Sequence, residues 1–287
     1  VSFLDARFFL KYYERENKSE EIQVTTTETV AGIPTATTVS NDLFDYRKAK
    51  FGTELGFRLP AKFYLNTSYS HEKIDRKRDD IPKNRDDLYG IELRWTGLDF
   101  MTARIGYERL NRRAEFDTPE DGRSDIEYFL RRFDAAEQHR DSYKASLDFF
   151  PTEDLNFSLG YRHRETDYPD TVLGLTGDRR DEFSIDADYL IMKRVKLFAF
   201  FDYERIKMNQ FQRQAAAQSQ IDPDLSPTQT AFNWKASQKD ETYSYSLGAD
   251  IFLIPETLTL RLQHSYVESN GSVDYTYLLG GTPLPTG

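Results

Sequence analysis

Cysteine is missing from all 287 residues of this chain. Its absence excludes a thiolate zinc site, covalent haem attachment through C-x-x-C-H and a disulfide framework. Long hydrophobic runs are missing too: nothing approaches the ~18 consecutive apolar residues of a membrane helix. The four histidines, His71, His139, His163 and His264, lie on separate segments without metal-ligand spacing. P-loop, dinucleotide-binding glycine and nucleophile-elbow patterns are also absent, so no catalytic constellation is visible. Positive charge is in the minority, with 38 Lys+Arg against 48 Asp+Glu and a net charge of −10. That balance disfavours nucleic acid as a partner. No initiator Met or signal peptide precedes the opening strand pattern from Phe3 to Tyr13, which reads as a mature or partial chain.

What is present looks contradictory at first. Mean hydropathy is −0.69, yet 14% of the residues are aromatic, among them 18 Tyr and 21 Phe. A β-barrel that turns one residue in two toward lipid reconciles these numbers. The parity of the sequence supports it. Phe51, Leu55, Phe57 and Leu59 alternate with Gly52, Glu54, Gly56 and Arg58. Met101, Ala103, Ile105 and Tyr107 alternate with Thr102, Arg104, Gly106 and Glu108. Tyr243, Tyr245, Leu247, Ala249 and Ile251 alternate with Ser244, Ser246, Gly248 and Asp250. Continued along the chain, this period of two predicts 11 strands, with Phe198 and Phe200 as exceptions on the polar parity. Residues 272–279 are a candidate twelfth strand, but the "GGTPLPTG" that follows favours reading the tail as loop.

Connections alternate in length. Short ones, such as "RLPAKF" (58–63) and "LIPETL" (253–258), carry turn residues at their tips. Long polar ones fall near 20–42, 74–86, 112–140, 166–180, 208–241 and 270–287. Short turns on one rim and long loops on the other is the layout of an outer-membrane barrel, with the loops extracellular. The expected fold is therefore all-β, a transmembrane antiparallel up-and-down barrel of about 11–12 strands in this chain, forming a single domain over 1–287 and belonging to a larger barrel, with an isolated 12-strand barrel as the alternative. A soluble β-sandwich would alternate as well, but its strands are usually only ~5–6 residues long. Aromatics at strand ends, including Trp95, Tyr107, Phe149, Tyr161, Tyr189 and Tyr203, match interfacial girdles.

The polar parity carries both signs of charge. Its candidates for contact with a partner or solute are Glu54, Arg58, Glu92, Arg94, Arg104, Glu108, Lys144, Asp148, Arg162, Asp186, Asp188, Glu204, Asp250 and Arg261. Asp5 and Arg7 join them on the first strand. The plain reading is mutual cross-strand stabilisation of ~0.2–1 kcal/mol per pair. The sharper one is a lumen that holds a hydrophilic guest, with Gly52, Gly56, Gly90, Gly106, Gly160 and Gly248 letting it approach the wall. Two segments, 124–138 and 210–220, are candidate loop helices, the first with Ile126, Phe129, Leu130 and Phe133 on one face. The acidic cluster at 117–125 is a candidate calcium loop without EF-hand spacing.

Several strands end in a Tyr followed by charge: "YYEREN" (12–17), "GYERLNR" (106–112), "GYRHRET" (160–166) and "DYERIK" (202–207). With the paired long strands and minimal turns, these endings resemble the MtrB/PioB family, outer-membrane barrels of porin–cytochrome electron conduits. The family's N-terminal Cys-x-x-Cys pair is absent here. The resemblance implies a non-enzymatic barrel in the bacterial outer membrane that binds no cofactor itself. It implies a multihaem c-type cytochrome in the lumen, carrying all the haem, and an extracellular cytochrome on the long loops. Membrane lipid or lipopolysaccharide would surround the barrel. The alternative is a porin passing small solutes through a water-filled lumen.

Overall fold

The computed structural model describes residues 3–20, 22–30, 33–40, 45–77, 81–115, 130–131, 133–171, 173–214, 232–279 and 282–283. Among them there is no α-helix. The chain runs β1 (Leu4–Arg15), β2 (Gln23–Val30), β3 (Ile33–Ser40), β4 (Tyr46–Leu59), β5 (Phe63–Arg76), β6 (Lys83–Leu98), β7 (Met101–Glu115) and β8 (Leu130–Arg131). It continues through β9 (Gln138–Thr152), β10 (Leu155–Asp167), β11 (Leu173–Ile191), β12 (Val195–Gln214), β13 (Phe232–Ile254), β14 (Leu258–Leu279) and β15 (Thr282–Pro283). Eleven long strands make one antiparallel sheet in the order β1-β4-β5-β6-β7-β9-β10-β11-β12-β13-β14, each paired with the next long strand in sequence. β2 and β3 form a separate hairpin, and the short β8 lies parallel to β11. The eleven expected strands are the eleven long strands among the described residues.

Register fixes the two faces, because a slip of one residue would exchange them. Leu55 pairs with Thr67, Ile105 with Ala145 and Leu247 with His264 on one face. Glu54 pairs with Ser68 and Gly106 with Lys144 on the other. The apolar face is open to the surroundings: Ile105 is 60% and Leu247 56% exposed. Among the described residues, the buried apolar side chains are Ile74, Ile81, Leu110, Ala135, Ala136, Tyr168, Leu173 and Ala236, all toward the loop-side ends of the strands. This inverts the plan of a globular protein and suits a wall solvated by lipid.

The strands overrun the loops expected from the sequence. β5 and β6 leave only 77–82 between them, not 74–86, and β10 and β11 leave 168–172 rather than 166–180. β2 and β3 occupy most of 20–42. The tail read as loop is strand as far as Leu279, so 272–279 continues β14 rather than forming a twelfth strand. A hydrogen-bonded ladder needs no apolar side chains, so it persists where the alternation that revealed it has stopped. Neither helix candidate is helical where it is described. Gln210–Gln214 belong to β12, Leu130–Arg131 are strand, and residues 133–135 are a turn with Phe133 62% exposed. Ile126, Phe129, residues 215–220 and the acidic 117–125 lie outside the described residues.

Short turns use positive φ without glycine. Ala61 and Lys62 sit at φ 57° and 60°, and Met192 and Lys193 at 48° and 56°. Two successive left-handed residues match the right-handed twist of the flanking strands. Three of the six inward glycines are filled by side chains of the wall itself and are not open to a guest. A Cβ on Gly52 would lie 2.6 Å from the Phe9 ring and from the Tyr69 carbonyl oxygen, and Gly56 and Gly248 are covered by Tyr64 and Phe198. Phe198, the exception on the polar parity, thus lies in the Gly248 notch with Arg261 5.6 Å from its ring. Of the six, Gly106 has only ordinary contacts, the nearest at 3.6 Å. Because the Tyr69 carbonyl is fixed by the ladder, Gly52→Ala is expected to destabilise by about 1–3 kcal/mol. A lowered urea midpoint for unfolding in detergent measures it.

Candidate functional site

The polar face is built from cross-strand ion pairs running over the whole sheet. Arg7 meets Glu54 at 3.4 Å and Arg58 meets Asp5 at 3.1 Å between β1 and β4. Arg94 lies 4.9 Å over the Tyr64 ring. Arg104 pairs with Asp148, and Lys144 with Glu108, across β7 and β9. Arg162 reaches Glu182 at 3.2 Å, Arg180 pairs with Glu204, and Lys196 reaches Asp188 at 3.1 Å. Arg261 grips Asp250 with two hydrogen bonds of 2.6 and 2.8 Å. The register thus places all fourteen sequence candidates on one face, from β4 to β14. Most of these pairs are substantially exposed, and each contributes ~0–1 kcal/mol.

In the middle of this face lies a shallow groove of about 240 Å³. Gly106, Ser146, Gly160 and Ser184 give it depth, while Glu92, Arg104, Lys144, Arg162 and Glu182 rim it with both signs of charge. Small residues lower the wall here, and the rim offers donors and acceptors to a polar guest.

Sequence reasoning missed a denser cluster toward the loops. Arg112 donates two hydrogen bonds to Asp86, at 2.9 and 2.8 Å, and the two side chains are only 15% and 12% exposed. Arg112 also donates to the Asp134 carbonyl at 2.8 Å, and Asn84 donates to the Ala135 carbonyl at 2.6 Å. The 133–137 turn is thereby folded onto the polar face, burying Ala135 and Ala136. Burial works against the Arg112 charge, but its bonds to Asp86 hold it above the usual guanidinium value. Burial, then the nearby Asp178 charge, pushes the Tyr168 hydroxyl up to about 12. All of these lie in segments that the sequence presents as loop, where parity gives no guidance.

The opposite face explains three of the four Tyr-then-charge endings, those at Tyr107, Tyr161 and Tyr203. Tyr69 donates to Asp87 at 2.8 Å, Tyr107 to Asp141 at 2.5 Å, Tyr161 to Asp181 at 3.1 Å and Tyr203 to Glu241 at 3.0 Å. Two residues after each Tyr comes a basic group directed at the same carboxylate. His71 and His163 lie 2.9 and 2.7 Å from theirs, and Arg109 and Arg205 lie 3.6 Å from theirs. Aromatic pairs complete the row, with Tyr69–Tyr89 and Tyr107–Tyr143 centroids 5.1 Å apart and Tyr203–Tyr243 4.8 Å apart. Such amphipathic rings belong at a membrane–water boundary. Among the described residues, no group of three or more His, Asp or Glu could hold a metal ion.

An apolar exposed face, a charged opposite face, an aromatic boundary row and an up-and-down antiparallel meander define an outer-membrane β-barrel protein. Comparison with known proteins agrees. A model described as an outer membrane beta-barrel porin, MtrB/PioB, matches residues 4–286, and the chain belongs to that family. Outer membrane protein MtrB of Shewanella baltica (strain OS185) is 23% identical over 172 residues, which are 59% of this chain and 25% of the relative. The chain thus matches about a quarter of that relative's length. Among solved structures, the outer-membrane transporter YddB from Escherichia coli aligns over 81% of this chain and 36% of its own, at 12% identity and a TM-score of 0.46. A loop-deletion form of OmpT from Vibrio cholerae aligns over 93% and 99%, at 8% identity and a TM-score of 0.30.

Proposed function

We propose that this chain forms part of a barrel that sheathes a multihaem c-type cytochrome, insulating an electron path through the outer membrane. Its role is structural rather than catalytic. The observation that carries the reading is the polar face: one ion-paired surface of mixed sign spans the sheet, with a small-residue groove at its centre. A protein guest presents charges of both signs and its own backbone, and this surface complements both. Membership of the MtrB/PioB family supports the same reading. With no cysteine, the chain cannot attach c-type haem, so haem would come entirely from the partner. The lumenal face, including Glu92, Arg104, Lys144 and Arg162, would meet that cytochrome. The loop rim would receive an extracellular cytochrome, and the apolar face would meet lipid or lipopolysaccharide.

The test is purification of the native complex in mild detergent, followed by haem staining and mass spectrometry. A red complex with a multihaem c-type cytochrome is expected. A colourless barrel with large solute conductance in planar bilayers would overturn the sheath and establish a porin.

A further inference from the structure

On the loop side of the polar face, the Arg140 guanidinium has no counterion among the described residues. Arg140 of β9 sits opposite Leu110 of β7 and Thr166 of β10. Its diagonal neighbours on those strands are Arg112 and Arg164, so three guanidinium groups converge from three adjacent strands. The carboxylates around them are already committed. Asp86 holds Arg112 through two hydrogen bonds, Asp178 lies 3.4 Å from Arg164, and Glu108 is paired with Lys144. The Arg140 side chain has no hydrogen bond or ion pair among the described residues, although it is only half-exposed. The Arg164 Nε is buried and likewise has no partner among them. Burial, then the charges of Arg164 and Arg112, pulls the Arg140 guanidinium below its usual value. An oxyanion would relieve that repulsion and satisfy both sets of open donors.

We propose that Arg140, flanked by Arg112 and Arg164, is an anion-binding site for a small oxyanion of the phosphate or carboxylate type. Planar guanidinium forks bind such groups through paired N–H···O bonds. The buried Arg112–Asp86 pair and the 133–137 turn bonded to it hold one side of the site in place. The site lies beyond the tyrosine row, on the polar face, where a solute arriving from the loop side would meet it. It stands on these contacts alone and does not depend on what fills the lumen.

Arginine labelling tests this on the intact protein in detergent. Phenylglyoxal-modified peptides are mapped by mass spectrometry in inorganic phosphate and in potassium chloride of matched ionic strength. Phosphate at ten times its Kd is expected to slow labelling of Arg140 about tenfold, while the exposed Arg7 is unaffected. In Arg140→Gln, phosphate protection of Arg164 is expected to disappear. Arg140 labelling that phosphate leaves unchanged, or that it slows no more than labelling of Arg7, overturns the proposal. Because the first measurement uses the unsubstituted protein, it stands even if the variant fails to fold. Loss of the cytochrome reading would leave it untouched.

Discussion

Asp86→Asn is expected to lower unfolding stability by about 3–5 kcal/mol, the cost of leaving a buried charge without its partner. The Arg112–Asp86 pair is largely buried and makes two hydrogen bonds, whereas most pairs on this face are wet. Removing the carboxylate strands Arg112 beside Arg140, and it loosens the anchor of the Asp134 carbonyl. Glu54→Gln makes the contrast. Its partner Arg7 is 65% exposed, and the loss there is expected to stay within ~0.2–1 kcal/mol. The double replacement Asp86→Leu with Arg112→Met is expected to recover most of the stability, because neither member of the pair then leaves a buried charge behind. Urea midpoints in detergent, followed by tryptophan fluorescence and by the gel shift of the folded barrel, measure all three. Equal losses for Asp86→Asn and Glu54→Gln would show that the loop-side cluster has no special weight.

The second large effect lies on the lipid face. Leu247 is 56% exposed and falls midway along the outward run from Tyr243 to Leu253. Leu247→Arg is expected to cost about 2–4 kcal/mol, the depth-dependent penalty for a cation near the bilayer centre. Ser146→Arg puts the same side chain in the polar groove and is expected to cost no more than ~1 kcal/mol, the like-charge penalty against Arg104 opposite it. Folding yield into lipid vesicles, read by protease protection, separates the two. A tolerated Leu247→Arg beside a damaging Ser146→Arg would invert the assignment of the faces.

The alternation of Tyr243 to Ile251 was enough to place β13 and both of its faces, because one buried or lipid-solvated face forces a period of two. The same rule failed past the tyrosines. Arg112, Asn84 and Asp86 look like loop residues, since both faces of a strand are polar once it leaves the hydrocarbon, yet the ladder goes on. The helical spacing of Ile126, Phe129, Leu130 and Phe133 does not hold at its described end, where Leu130 is taken up by a strand pairing with Leu173. Arg140 had no signal of its own. Its character comes from Arg112 and Arg164, which are distant in sequence and adjacent only through register. The fourteen polar-face candidates were legible as a face; which of them pair across strands depended on the diagonal offsets of neighbouring strands.

The tyrosine row has a consequence for how the wall is assembled. Each Tyr–carboxylate bond joins the two strands on either side of a loop-side connection: β5 to β6, β7 to β9, β10 to β11 and β12 to β13. The turn-side pairs need no such clamp, because turns as tight as Met192–Lys193 dictate their alignment. The loop-side connections are all longer than these turns, even at 77–82 and 168–172, and a longer connection costs more closure entropy and fixes the alignment less. A slip of one residue would send each Tyr to the lumen and break its bond. The row therefore acts as an alignment mark: each Tyr–carboxylate bond can be made only when its own pair of strands is in register.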